Sequence, residues 1–251
     1  MESKKRSLGA AERDEFLRTA WRLLFAGRVD AERLVFVDEM GTNVSLCPLY
    51  AWSRRGERAH AKAPRNWGKN VTLLASITAE GLGPCLAVEG STTREVFETY
   101  LERALAPTLE RCAVVLSHRQ IKVFSPPHRK PLRPWYAYGA DRRVSGSTAL
   151  ITAIRPGQIV VMDNLSAHKG GKVKEIIEGR GCELIYLPPY SPDFNPIEQA
   201  FSKVKGLMRR AEARTRESLI EAMGLALCMV SAQDSQGFFG HCGYSSMDQL
   251  L

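Results

Sequence analysis

The sequence predicts an α/β domain, a mixed sheet flanked by helices and interrupted by one long inserted basic, proline-rich segment. Three observations predict it. Two short apolar runs, Leu34-Val35-Phe36-Val37 and Ile159-Val160-Val161-Met162, are rich in β-branched residues and each is followed by an acid, Asp38 or Asp163; such runs read as strands buried on both faces. A third stretch, opening at Asn195-Pro196, carries apolar residues at helical spacing. Between the two strand runs, residues 110–154 show neither period and contain Pro126, Pro127, Pro131 and Pro134.

Taken in order, residues 8–27 place Leu8, Phe16, Leu17, Ala20, Leu23 and Leu24 at roughly helical spacing, which predicts an amphipathic lead-in helix. The strand ending at Asp38 follows. Further strands are expected around 49–53, 71–78 and 84–88, the last two joined by a turn at Glu80-Gly81-Leu82-Gly83, so that an antiparallel meander results. Ser91-Thr92-Thr93 reads as the cap of a helix over 94–109, with Val96, Phe97, Tyr100, Leu101 and Leu105 on one face. After the strand ending at Met162 come a short helix over 172–178 and a strand over 183–187. A rigid loop with four prolines, at positions 188, 189, 192 and 196, then leads into the long helix. Asn195 suits its N-cap, Pro196 its first position, and Glu198 its third. Ile197, Ala200, Phe201, Val204, Leu207 and Met208 should pack on the sheet. This order of elements is the ribonuclease-H-like α/β plan.

The chain of 251 residues can bury one substantial core. We expect a main domain over 31–251, with 1–30 as a lead-in helix and linker. No apolar run reaches the roughly 18 residues of a membrane span, and the basic N-terminus lacks the apolar stretch of a signal peptide. A cytoplasmic protein without a membrane partner is expected. Six scattered cysteines include no Cys-x-x-Cys pair, so neither a zinc site nor a disulfide scaffold is suggested. The net charge of +8 is uneven, because residues 110–154 carry eight Lys and Arg against Glu110 and Asp141. Net charge is thus a poor argument for a nucleic-acid-binding body, and local clusters have to carry that case. A structureless segment as long as 110–154 is unusual in a compact domain.

Phosphoryl transfer between DNA strands needs an activated oxygen, a stabilised leaving oxygen and a neutralised phosphate, and two divalent ions supply all three. Mg²⁺ and Mn²⁺ prefer oxygen ligands, so carboxylates from distant parts of the chain are the expected signature. Asp38 and Asp163 each end a strand, and Glu198 sits in the first turn of the last helix, with 34 residues between it and Asp163. Asp38-Glu39-Met40-Gly41-Thr42-Asn43, Val161-Met162-Asp163-Asn164-Leu165-Ser166-Ala167-His168-Lys169 and Leu187-Pro188-Pro189-Tyr190-Ser191-Pro192-Asp193-Phe194-Asn195-Pro196-Ile197-Glu198 resemble the three catalytic blocks of mariner-like DDE transposases, and most closely those of the insertion-sequence-630 group. The resemblance covers most of residues 34–244, including the closing Phe238-Phe239-Gly240-His241-Cys242-Gly243-Tyr244. The third block is the most specific; in the first, Met40 stands where such proteins usually carry Ser or Thr.

The resemblance implies that Asp38, Asp163 and Glu198 are the catalytic triad and the ligands of two Mg²⁺ or Mn²⁺ ions. It implies cleavage at the ends of a DNA element and joining of the freed 3′ hydroxyl to a target strand. The partners would be double-stranded DNA and, in the active state, a second copy. Only about thirty residues precede the first strand, so the helix-turn-helix recognition domain usual in the family is expected to be absent. The 110–154 segment is foreign to the family pattern.

Other residues carry two readings each. Asn164 and His168 line the site behind the acids, or His168 only packs. Glu39, next to Asp38, should point the other way by strand alternation. Glu198 could act only as a capping-box acid. Asp193 reads as a turn residue. Arg54, Arg55, Arg58, Lys62, Arg65 and Lys69, with His60 and Trp67, form a basic stretch suited to DNA phosphates, or else a solvated loop. Lys203, Lys205, Arg209, Arg210, Arg214 and Arg216 continue the last helix as a solvated face or a second DNA contact. Two rival functions remain, a ribonuclease-H-like nuclease without strand transfer and an inactive remnant that binds DNA or dimerises. A dehalogenase-type phosphatase is excluded, because Met40 stands where a second Asp is needed.

Overall fold

The computed structural model describes residues 12–25, 28–60, 62–66, 68–106, 122–124 and 157–244. Strands β1 (Leu34–Thr42), β2 (Val71–Thr78) and β3 (Gly81–Glu89) form the expected antiparallel meander. Helix α1 (Glu15–Leu24) precedes it. Helix α2 (Arg94–Tyr100) follows, capped by Thr93, whose hydroxyl accepts from the Val96 amide, and continues as a π-helical turn, Leu101–Leu105. Strand β4 (Lys122–Phe124) joins β3 antiparallel. Strands β5 (Ile159–Met162) and β6 (Glu183–Tyr186), linked through helix α3 (Gly171–Glu178), enter on the other side, β5 parallel to β1 and β6 parallel to β5. Among the described residues the sheet order is β4-β3-β2-β1-β5-β6. Helices α4 (Pro196–Ala211), α5 (Arg216–Cys228) and α6 (Ala232–His241) close the chain.

Two cores explain why the apolar runs do not alternate with polar residues. Leu34, Phe36, Met40, Ile159 and Val161 pack with Ile197, Ala200, Phe201 and Val204 of α4, Met223 of α5 and Phe239 of α6. Val35, Val37, Val160 and Met162 pack on the opposite face with Phe97, Tyr100, Val173 and Ile177 from α2 and α3. With helices on both faces, the central strands are buried along Leu34–Asp38 and Ile159–Met162.

Four expectations are corrected. Residues 49–53 form no strand: β1 already has β2 on one side and β5 on the other, and Leu49, Tyr50 and Trp52 lie exposed in the β1–β2 connection. The helix expected to be the last, α4, ends at Ala211, where Glu212 adopts a left-handed conformation (φ 46°), so Arg214 and Arg216 lie beyond it and α5 and α6 follow. The apolar stripe of α1 does not face the body, since Phe16, Leu23 and Leu24 are exposed while Arg18 and Trp21 are buried. Within residues 110–154, the stretch 122–124 adds a strand to the sheet edge; the other residues of that segment lie outside those described.

Candidate functional site

The sheet register places the first two acids side by side. Val37 and Met162 are the last partners between the parallel strands β1 and β5, so Asp38 and Asp163 are the next residues of neighbouring chains. They stand at the carboxyl ends of β1's paired segment and of β5, where open α/β sheets place their sites. Asp38 continues the Leu34, Phe36, Met40 series, whose side chains face the core under α4. Glu198 lies in the first turn of α4, exposed to solvent. Its neighbours Ile197, Ala200 and Phe201 pin that turn to the sheet.

Asp38 is only 7% exposed. Oδ1 accepts from the Glu39 amide at 2.7 Å, and Oδ2 accepts from Asn195 Nδ2 at 2.7 Å. Burial pushes its carboxyl up to about 7, helped by the charges of Asp163 and Glu198 and opposed by the Glu39 amide and His168. No Lys or Arg pairs with it among the described residues. A buried carboxylate without a cation is costly, and this one faces two further acids.

Asn195 departs from the role its sequence position suggests. It stands at the N-cap of α4 with extended backbone (φ −109°, ψ 100°), yet its side chain makes no cap hydrogen bond. The carboxamide is turned to Asp38 instead.

Asp163 is held differently. Its Oδ1 accepts from the Leu165 amide at 3.1 Å, and His168 Nδ1 lies 2.6 Å from the same oxygen, a close approach without the alignment of a hydrogen bond. His168 is buried and stacked on Phe97 with ring centroids 4.0 Å apart. Its carbonyl accepts from the Tyr186 hydroxyl at 2.8 Å. It therefore both packs and touches the acid. Asn164 donates to the Leu187 carbonyl at 2.9 Å, tying the second block to the start of the third.

A buttress behind the site escaped sequence reasoning. The Arg18 guanidinium, 0% exposed, donates to Ser191 Oγ at 2.7 Å and to both Asp193 oxygens at 2.9 and 2.6 Å. It also lies over the Phe194 ring, 4.4 Å from its centre. Hydrogen bonding to Arg18 holds the Asp193 carboxyl below its ordinary range. Asp193 thus anchors its loop besides turning it. Trp21 Nε1 donates to the Tyr244 hydroxyl at 2.9 Å, which donates in turn to the Phe194 carbonyl at 2.8 Å. A basic residue in an amphipathic helix reads as solvent-facing, so nothing in the sequence marked Arg18; Tyr244 closed a recognised motif, but its contacts were not visible.

The basic residues separate into two groups. Arg54, Arg55, Arg58, Lys62, Arg65 and Lys69 are all exposed on the β1–β2 connection, with Lys69 3.9 Å from Glu89; Trp67 lies outside the described residues. Three of the later cations have structural partners: Lys203 pairs with Asp234 at 2.6 Å, Arg216 with Glu89 at 2.9 Å, and Arg214 donates to the Leu46 carbonyl at 2.7 Å.

Among the described residues, no three His, Cys, Asp or Glu side chains form a closed set of metal ligands. The donors nonetheless suit a hard divalent ion. The set is all oxygen, the Asp38 carboxylate is buried without a cation, and Asn195 Oδ1 is buried beside it with no partner. Glu198, exposed in the first turn of α4, would complete the set from solvent.

A family model described as DDE superfamily endonuclease matches residues 33–124 and 147–220, more than half of the chain and all three acids. The span left out, 125–146, is narrower than the segment the sequence marks as foreign. No curated protein matches the chain in sequence. Among solved structures, the fold is similar to the Mos1 transposase paired-end complex with left transposon end (TM-score 0.60, 15% identity, 97% of this chain and 63% of that one). It is also similar to a pre-cleavage Mos1 transpososome (0.59, 15%, 97% and 64%) and to the Mos1 mariner paired end complex with Mn (0.58, 16%, 97% and 64%). The chain therefore spans less than two thirds of the length of those chains. At such identity the likeness speaks for the fold, and the fold is the ribonuclease-H-like plan expected from the order of elements. Among the described residues, no helix is long and apolar enough to cross a membrane.

Proposed function

The chain belongs to the DDE superfamily endonucleases, and on that premise we propose that it is the catalytic domain of a cut-and-paste DNA transposase of the insertion-sequence-630 group. It cleaves strands at the ends of a DNA element and joins the freed 3′ hydroxyl to target DNA. The observation that carries the proposal is the register that sets Asp38 beside Asp163 at the ends of parallel strands, with Asp38 buried, short of a cation and under the charge of Glu198.

Asp38, Asp163 and Glu198 would hold two Mg²⁺ or Mn²⁺ ions, which when bound activate the attacking oxygen and stabilise the leaving one. The chain's own residues prepare for this. The Glu39 amide and Asn195 fix Asp38, the Leu165 amide and His168 fix Asp163, and Asn164 ties the Asp163 loop to Leu187. Glu198 stands in the first turn of α4, at the positive end of the helix dipole. Arg54, Arg55, Arg58, Lys62, Arg65 and Lys69 would contact DNA phosphates, and a second copy would complete the active assembly. We place the foreign insertion at 125–146, because 122–124 extend the sheet.

The test is incubation with labelled element ends, target DNA and Mg²⁺ or Mn²⁺. Joined products that disappear in Asp163→Asn support the reading. Cleavage without joining supports a nuclease instead, and metal-independent products would sink both.

A further inference from the structure

We propose that Asn195 is a positioning residue of the metal site, orienting Asp38 with one end of its carboxamide and receiving the hydrated cation with the other. The proposal rests on the metal reading given above.

An Asn at this position normally caps its helix, and losing such a cap costs about 1 kcal/mol. The N-cap residues Asp14, Thr93, Thr215 and Ser231 all accept amide hydrogen bonds from their helices; Asn195 does not. Its backbone is nevertheless fixed, since the Asn195 amide donates to the Pro192 carbonyl at 3.0 Å and its own carbonyl accepts from the Glu198 amide at 3.1 Å. The side chain is aimed from this fixed point at Asp38.

The orientation of the carboxamide follows from chemistry. In the ionised form that binds a cation a carboxylate accepts only, so the end touching Asp38 Oδ2 is the nitrogen. The oxygen of the same carboxamide is buried and has no partner, Asn195 being 3% exposed. A buried amide oxygen left without a donor is unfavourable. The Asp38 carboxylate offers about four lone-pair sites, and the Glu39 amide and Asn195 occupy two of them. The remaining acceptors of Asp38 and the free oxygen of Asn195 therefore belong to two side chains in direct contact. Magnesium keeps several of its waters when it binds protein, and their hydrogens are the donors that Asn195 Oδ1 lacks. Partners that orient metal ligands in this way are typically worth about 10- to 100-fold in affinity.

The experiment measures Mn²⁺ affinity of the full chain by electron paramagnetic resonance of the free ion, alongside melting temperature. Asn195→Ser is the informative variant, because Ser caps a helix as well as Asn but is too short to span the carboxamide's two contacts. The expected result is Mn²⁺ binding at least about tenfold weaker at an unchanged melting temperature, with Asp163→Asn losing binding as well. Wild-type Mn²⁺ affinity in Asn195→Ser, beside lost binding in Asp163→Asn, overturns the role of Asn195 and leaves the metal reading standing. Absence of Mn²⁺ binding by the wild-type chain, or unaltered binding in Asp163→Asn, overturns the metal reading and this proposal with it. If Asn195→Ser fails to fold, Asn195→Thr, a comparable cap, is read the same way; failure of both shows that the carboxamide holds the fold and overturns the proposal.

Discussion

Replacing Asp38 with asparagine preserves the shape of the side chain and removes its charge. In the metal-free protein this should raise stability at alkaline pH, and the size of the effect follows from the site. The Asp38 carboxyl is pushed from 3.8 up to about 7, burial being the largest cause. Between those values the folded state holds a proton that the unfolded state has released, so stability is highest at low pH and is lost as pH rises through about 7. Linkage over a shift of that size gives a loss of about 3 kcal/mol between roughly pH 5 and pH 8. The Asp38→Asn protein would lack this dependence. Asn195 can turn its unpartnered Oδ1 toward the new amide, so the hydrogen bond between the two side chains need not be lost. Urea denaturation of both proteins at the two pH values, without divalent ions, should show the variant gaining about 3 kcal/mol on the wild type between the lower and the higher pH. Equal pH slopes in the two proteins would refute the reasoning, because the buried charge would then not lie on Asp38.

Arg18→Ala should cost about 2–4 kcal/mol, since it removes three hydrogen bonds from the Ser191–Asp193 loop and leaves Ser191 buried without its donor; a loss below about 0.5 kcal/mol in urea titration contradicts the buttress. Trp21→Phe loses the bond to Tyr244 together with part of the buried indole, so a loss above about 1 kcal/mol is expected, and no change would mean that neither contributes. Deleting 125–146 should leave the melting temperature close to that of the full chain, whereas deleting 110–154 should lower it by stripping β4 from β3. Equal melting of the two deletion proteins argues for the wider insertion. Arg58→Ala with Arg65→Ala should weaken binding to any duplex and flatten its salt dependence, by about one unit of slope for each phosphate the protein no longer neutralises; an unaltered slope returns the stretch to solvated loop.

Asp38 and Asp163 were legible because strand runs buried on both faces stand out from their surroundings, and a polar residue at the end of such a run has few structural uses. Glu198 was legible from a proline-rich loop whose start of helix is hard to mistake. Asn195 stands at the N-cap as expected, but where its side chain turns was not legible: the residue type that caps a helix is also the type that can donate to a carboxylate, and only the three-dimensional setting decides which it does. Leu49, Tyr50 and Trp52 suggested a strand because apolar and aromatic residues usually seek a sheet. Whether a sheet edge is available is a matter of topology, and β1 offered none. Arg18 was hidden by the inverse effect, its helix turning a charged side toward the body because Ser191 and Asp193 await it there.

The most direct test of the metal site is anomalous diffraction from crystals soaked in Mn²⁺. The account predicts anomalous density against Asp38 and Asp163, with Glu198 drawn in from solvent, and its loss in Asp163→Asn. Density elsewhere, with none beside these acids at saturating Mn²⁺, would contradict it.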